Sequence, residues 1–369
     1  MKAALVHDWL TGMRGGEFVL EALCEIYPEA DIYTLLHIPG AVSPTIENRR
    51  IYTSFIQGVP LSESKYRWLL PLMPTAIESF RLDGYDLVIS SSHCVAKGIR
   101  PGGAFHACYC HTPMRYAWDM YHHYFNRQRM GAAKLWAIER IMPFLRKWDQ
   151  ATCERVDAFA ANSAYVAERI NRIYRREARV IHPWVDTEYF SPDPEGKREG
   201  AYLMVSAFAP YKRVDLAIAA FRKMGKKLLI AGGGEDDSRL RAMAGPDTEF
   251  LGPVSKERLR ELYRQAEAFV FPGEEDFGIT PLEAMACGTP VIAYGKGGAL
   301  ETVVPLGDEG ATGVFFGEQT EEALMGAVEL FESRRGQFRA EELASRAGEF
   351  SKEIFKTRVK EWIGEVTAS

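Results

Sequence analysis

No run in this chain approaches the roughly 18 apolar residues that a membrane-crossing helix needs, so nothing in it reads as a span. An excess of one charge is missing too. The chain has 45 Lys+Arg against 50 Asp+Glu, and a formal net charge of -5 offers no general surface for nucleic acid. The acidic surplus falls late: residues 1–190 hold 22 Lys+Arg and 20 Asp+Glu, residues 191–369 hold 23 and 30. Cysteine is sparse. Residues 24, 94, 108, 110, 153 and 287 include one close pair, Cys108-Tyr-Cys110, and no second pair to complete a zinc site. Buried free thiols in a reducing compartment are the expectation. A D-x-D-type cation motif is absent, so no obligatory metal is expected, and no lysine stands out as a pyridoxal carrier. The opening M-K-A-A-L-V-H-D reads as a first strand and not as a signal peptide, which points to a cytoplasmic protein.

What is present is an ordinary globular balance, 47% hydrophobic and 26% charged, in 369 residues, too many for one core and enough for two domains. Apolar runs alternate with helical periodicity in both halves, predicting α/β units with parallel sheets. A proline-, glycine- and charge-rich stretch near residues 183–200 marks the boundary. The first strand, 3–7, enters D-W-L-T-G-M-R-G-G-E before a helix, an arrangement that brings backbone near a ligand. It lacks the G-x-G-x-x-G spacing of a dinucleotide site. Lys212 and Arg213 stand between a strand end and a helix start, placed to meet a diphosphate.

The organising stretch is V-F-P-G-E-E-D-F-G-I-T-P-L-E-A-M-A-C-G-T, residues 270–289. It reads as strand, turn and helix, with Thr280 as N-cap, Pro281 at the first helical position and Gly288 at the end. Glu275 and Glu283 then sit at the carboxyl edge of a parallel sheet, where α/β proteins bind ligands. Gly278 opens a helix N-terminus to a phosphate, and the paired acids suit the hydroxyls of a sugar and a ribose. The plainer alternative makes Glu275 a helix cap and Glu283 a solvated surface group.

The segment Glu275-D-F-G-I-T-P-L-Glu283 resembles the E-x7-E motif of the retaining nucleotide-sugar glycosyltransferases of family 4. His111-T-P-M-R-Y-A-W resembles a segment of a subgroup that includes bacterial O-antigen mannosyltransferases. The resemblance implies a GT-B fold, two facing Rossmann-like domains with a ligand cleft: residues 1–183 on the acceptor side, 184–350 for the nucleotide-sugar, and 351–369 a helix crossing back to the first domain. It implies His111, Lys212 and Glu275 as catalytic residues. Donor contacts are expected from Arg14, Gly15, Gly16, Arg213, Gly233, Leu251, Val254, Phe277, Gly278, Ile279, Thr280 and Glu283, and acceptor contacts from Arg115, Tyr116 and Trp118. Glu283 would hold the ribose and Glu275 the hexose. The family's usual R-x(4)-K pair is incomplete: Lys212 is present, but Ala207 stands where the arginine belongs. Arg213, Arg14 or Arg115 are the candidates to replace it.

The activity implied is retaining transfer of a hexose, with GDP-mannose favoured as donor and no cofactor. The acceptor would be a saccharide or a polyprenyl-diphosphate-linked sugar in cell-surface polysaccharide synthesis. No opposing carboxylate suggests a double displacement, so front-face attack is implied. Alternatives are a UDP-linked donor, a UDP-sugar epimerase on the same plan, or a non-catalytic nucleotide-sugar-binding protein. Two basic, aromatic stretches, 64–80 and a helical 127–150, read either as core and solvated helices or as a peripheral contact with the inner face of the cytoplasmic membrane. His122 and His123 show no metal-site spacing.

Overall fold

A computed structural model describes residues 1–60, 62–119, 121, 125 and 131–368. His122, His123, Arg127 and Arg129 therefore lie outside the described residues. The chain forms two compact units, Met1–Pro183 with Phe355–Ser369, and Trp184–Ile354.

The first unit is built on seven parallel strands: β1 Ala3–His7, β2 Asp31–Thr34, β3 Ile51–Thr53, β4 Leu87–Ser92, β5 Phe105–Cys110, β6 Ala158–Ala161 and β7 Arg179–Val180. Their order is β3-β2-β1-β4-β5-β6-β7. β1 and β4 are buried along their whole length, as the central strands of a parallel sheet covered on both faces are. The chain direction across the sheet reverses between β1 and β4, the switch point that leaves a crevice at the strands' carboxyl ends. All six cysteines are buried free thiols. Part of the helix Lys352–Ala368 also belongs to this unit. Phe355 meets the Tyr109 ring at 5.8 Å, Lys356 pairs with Glu25 at 3.2 Å, and Trp362 and Ile363 are buried.

The second unit has six parallel strands: β8 Tyr202–Ala207, β9 Leu228–Gly233, β10 Thr248–Gly252, β11 Phe269–Phe271, β12 Val291–Tyr294 and β13 Gly313–Phe316. They run in the order β10-β9-β8-β11-β12-β13, so the switch point lies between β8 and β11. Lys212 follows β8 and Glu275 follows β11. The two groups singled out in the sequence leave the sheet on either side of this crevice. Arg198 ties the start of the unit together by donating to the carbonyls of Gly288 and, through its other terminal nitrogen, Ala266.

The basic stretch of the first unit is a helix, Ala132–Ala151, with Pro143 inside it. Residues 62–78 form a short helix, a 3-10 segment over Tyr66–Leu72 and a second short helix, Met73–Glu78. The residues of these stretches divide between core and surface. Tyr66, Met73, Met142 and Leu145 enter the core, whereas Trp68, Leu72, Trp136 and Phe144 are exposed.

Candidate nucleotide-sugar site

In the second unit the turn after β11 is held by backbone that tolerates no side chain. The short turn Pro210–Lys212 lies so close that a Cβ at Gly273 would stand 3.0 Å from Lys212 Cα. On its other side, Gly298 donates its N–H to the Glu275 carbonyl at 2.9 Å, and Glu275 bridges Gly297. A Cβ on Gly298 would collide with Phe277 Cα. Between these supports the Lys212 ammonium pairs with the Glu275 carboxylate, both groups part-exposed. The carboxylate thus neutralises the Lys212 cation at this turn.

The helix begins two residues earlier than the sequence suggested. It spans Ile279–Ala286 with Gly278 as N-cap, so Thr280 lies within the first turn and does not cap it. Gly278 has φ +87°, and a Cβ there would stand 2.8 Å from Phe271 Cζ. That left-handed backbone starts the helix where only glycine fits without strain. Gly288, with φ +79°, follows its last turn as expected. Glu283 accepts a hydrogen bond from Tyr263 Oη at 2.8 Å. Burial raises its carboxyl to a pKa of about 7; the Tyr263 hydrogen bond and the Lys256 charge oppose the rise, and Asp186 adds to it. Glu283 is therefore no solvated surface group.

Other expected donor residues divide. Phe277 is 3% exposed and its ring packs near Phe350 at 5.8 Å, so its side chain is core and only its backbone faces the turn. Leu251, Val254 and Ile279 are part-buried against the same core. Gly233 is open, with nothing within 4 Å of a Cβ position. Arg213 is engaged by Asp215 at 3.3 Å and Gln319 at 3.3 Å. It lines a surface pocket with Asp215, Met243 and Glu322, none of them a residue the sequence had marked.

In the first unit Gly15 and Gly16 begin the helix Gly15–Ile26. Arg14 is exposed as its N-cap, its N–H donating to Glu17 Oε2 at 3.1 Å. A Cβ on Gly16 would lie 3.2 Å from His7 Cε1 and 3.7 Å from His111 Nε2. These rings sit at the ends of β1 and β5, and Ser91 of β4 joins them: its Oγ is 3.2 Å from His7 Nδ1 and 2.8 Å from His111 Nε2. Burial holds His111 well below the usual imidazole range, reinforced by the charges of His93, His7 and Arg115. Next to this cluster Asp8 accepts four backbone N–H groups from His93 to Ala96 at 2.6–2.9 Å and lies 3.1 Å from His93 Nδ1.

The expected acceptor residues Arg115, Tyr116 and Trp118 are all part-buried. Trp118 donates its indole N–H to Asp149 at 2.8 Å, and Asp149 is the buried partner of the buried Lys97 at 3.0 Å. Tyr174 Oη donates to the same carboxylate at 2.9 Å. Trp118 is thereby anchored to the buried Lys97–Asp149 pair, its ring part-exposed. Tyr116 packs against the core, and Arg115 is part-buried near His111. Sequence reading missed His7, Ser91 and Glu17, although the polar end of β4 was visible as S-S-S. It also missed the support given by Gly273 and Gly298.

Among the described residues, no group of three His, Cys, Asp or Glu side chains is arranged to hold a metal ion.

Comparison with known proteins matches residues 13–189 to Glycosyltransferase Family 4 and residues 186–353 to Glycosyl transferases group 1. The chain is 31% identical over 194 residues to D-inositol 3-phosphate glycosyltransferase of Mycolicibacterium smegmatis, 44% of this chain and 43% of that protein. It is 28% identical over 220 residues to alpha-1,3/1,6-mannosyltransferase alg-2 of Neurospora crassa, 45% of this chain and 46% of that protein. The chain thus spans less than half the length of these curated relatives. Sucrose-phosphate synthase from Thermosynechococcus elongatus superposes with a TM-score of 0.74 at 20% identity, covering 100% of both chains. Anabaena HepE in complex with UDP does so at 0.71 and 15% identity, covering 99% of this chain and 100% of that one. With two parallel-sheet, Rossmann-like units matched in order along its length, the chain belongs to the GT-B glycosyltransferases of the group 1 and family 4 kind.

Proposed function

We propose that this protein is a retaining glycosyltransferase that moves a hexose from a nucleoside diphosphate-sugar, with GDP-mannose the favoured donor, to a saccharide or polyprenyl-diphosphate-linked acceptor. The observation that carries the reading is the Lys212–Glu275 pair at the switch point of the second sheet, one turn from Gly278 and Glu283. An incoming diphosphate replaces the carboxylate as partner of the ammonium and meets the backbone N–H groups at Gly278–Thr280. Glu275, released, accepts hydroxyls of the hexose, and Glu283 accepts those of the ribose. As the sugar–oxygen bond breaks, charge grows on the diphosphate, where Lys212 stabilises it. Arg213 already has partners in Asp215 and Gln319, which makes it the weaker replacement for the arginine absent at Ala207. His111 is assigned to a donor-sugar hydroxyl on the resemblance of its segment.

Mannose is favoured by the H-T-P-x-R-x-x-W segment, and a mannosyltransferase is among the relatives. A UDP-linked donor is the second reading, because solved neighbours of this fold carry UDP and UDP-glucose. A lipid-linked acceptor accords with a surface of the first unit. Trp68 and Trp136 are 61% and 60% exposed, Lys134 Nζ lies 5.1 Å from the Trp68 ring centre, and Arg140 lies 5.0 Å from that of Trp136. Exposed aromatics with cations suit an anionic bilayer interface, in keeping with a peripheral place on the cytoplasmic membrane. None of the described helices is long and apolar enough to cross a membrane. The test is turnover of GDP-mannose and UDP-sugars without acceptor, with the anomer of the released sugar read by NMR. A released sugar of inverted configuration overturns the retaining assignment, and loss of all donor preference for GDP overturns the mannose assignment.

A further inference from the structure

Glu17, His7, Ser91 and His111 form a buried line that the proposed transfer leaves without a role, apart from His111 itself. His7, Ser91 and Glu17 are each no more than 3% exposed. Glu17 Oε1 stands 3.8 Å from His7 Nε2, a nitrogen with no hydrogen-bond partner. His7 Nδ1 lies 3.2 Å from Ser91 Oγ, which lies 2.8 Å from His111 Nε2.

Proton positions along this line follow from what faces each atom. A bare imidazole lone pair pointed at a carboxylate is repelled, and an N–H is attracted. Glu17 is a carboxylate here: burial pushes its carboxyl up, but His7 and His93 outweigh that and bring it below its ordinary value. The His7 proton therefore sits on Nε2, leaving Nδ1 as an acceptor. Ser91 has one hydroxyl hydrogen, and it goes to His7 Nδ1. The Ser91 lone pairs then accept from His111, which must carry its proton on Nε2. The remaining ring nitrogen, Nδ1, is bare.

We propose that Glu17, acting through His7 and Ser91, holds His111 in the Nε2–H tautomer, so that His111 Nδ1 accepts a hydrogen bond from a hydroxyl of the bound sugar. Glu17, His7 and Ser91 are positioning residues, and His111 alone touches the ligand. Contact with the sugar rests on the transfer reading; the tautomer does not. Gly16 is part of the device, since its missing side chain lets the helix lie against both rings.

Nitrogen-15 NMR of the full chain, labelled at histidine and measured near pH 8 without substrate, reads the tautomer directly. Loss of signals in His111→Gln and His7→Gln identifies the two rings. The expected result is a pyrrole-like shift at His111 Nε2 and a pyridine-like shift at Nδ1. Glu17→Gln should move both His111 shifts toward the opposite tautomer, although the two residues share no contact. Ser91→Ala, a milder change, should break the link and move them as well. An Nδ1–H tautomer in the unaltered protein overturns the proposal, as do His111 shifts that stay put in a folded Ser91→Ala or Glu17→Gln chain. Donor turnover forms the second arm: Glu17→Gln should lower kcat roughly tenfold, the worth of one hydrogen bond, with little change in KM. If the tautomer is as stated and donor turnover is absent in the unaltered chain, the transfer reading fails and the relay stands.

Discussion

The Lys212 ammonium is paired with the Glu275 carboxylate, which joins the turn after β8 to the turn after β11. A cation and an acid held together before ligand arrives cost less to keep dehydrated than either alone. Exchange of that partner for a diphosphate is the binding event we propose.

Lys212→Ala should weaken binding of GDP by roughly 10- to 100-fold, the worth of a charge-assisted hydrogen bond of about 1.5–3 kcal/mol. Titration calorimetry of GDP against both chains measures it. Unchanged affinity would remove Lys212 from the diphosphate site.

Gly298→Ala should disturb the motif turn, because its new Cβ meets the Phe277 backbone. Overpacking of this kind costs about 1–3 kcal/mol, seen as a lower Tm together with weakened GDP binding. Gly317→Ala, where nothing lies within 4 Å of the added atom, is the control and should leave both unchanged.

Glu283 gives a pH signature. Its folded pKa of about 7 lies above the ordinary 4.5, so between those values the folded chain binds the extra proton and the unfolded chain does not. Its contribution to stability is therefore greatest at low pH and is lost as pH rises from about 4.5 to 7. Glu283→Gln should flatten that fall, with a Tm advantage over the unaltered chain that grows toward pH 7 in thermal melts. A pH dependence of Tm identical in the two chains would refute the raised pKa.

Trp118→Phe should lower stability by about 1 kcal/mol through loss of the bond to Asp149, and leave acceptor KM unchanged. Lys97→Ala, which strands the buried Asp149, should cost about 3–5 kcal/mol. Urea denaturation of both variants checks the order. A rise in acceptor KM for Trp118→Phe without loss of stability would place that residue in the acceptor site.

Trp68→Ala combined with Trp136→Ala should reduce sedimentation with anionic phosphatidylglycerol vesicles severalfold, and added salt should weaken what remains. Equal sedimentation of both chains would remove this face from the lipid-linked reading.

Local pattern carried much of this architecture. β11 and β12 were legible as short apolar runs, and the E-x7-E spacing marked the turn and helix between them. Thr280 looked like a cap because its side chain suits one, but the left-handed backbone at Gly278 starts the helix sooner. The rest depends on contacts between residues far apart in sequence. Gly298 meets the Phe277 backbone 21 positions away, and Ser91 serves a ring at 7 and another at 111. Trp118 matched a motif by its neighbours in sequence, while its indole is committed to Asp149. Periodicity and spacing report faces and turns, and such partnerships emerge only when the strands are laid side by side.

The central claim is tested most directly by Glu275→Ala in a donor turnover assay, with the anomer of the sugar followed by proton NMR. The unaltered chain should release α-mannose from GDP-α-mannose, and Glu275→Ala should release none while still binding GDP. Full turnover by the folded variant, or β-mannose from the unaltered chain, would contradict the account.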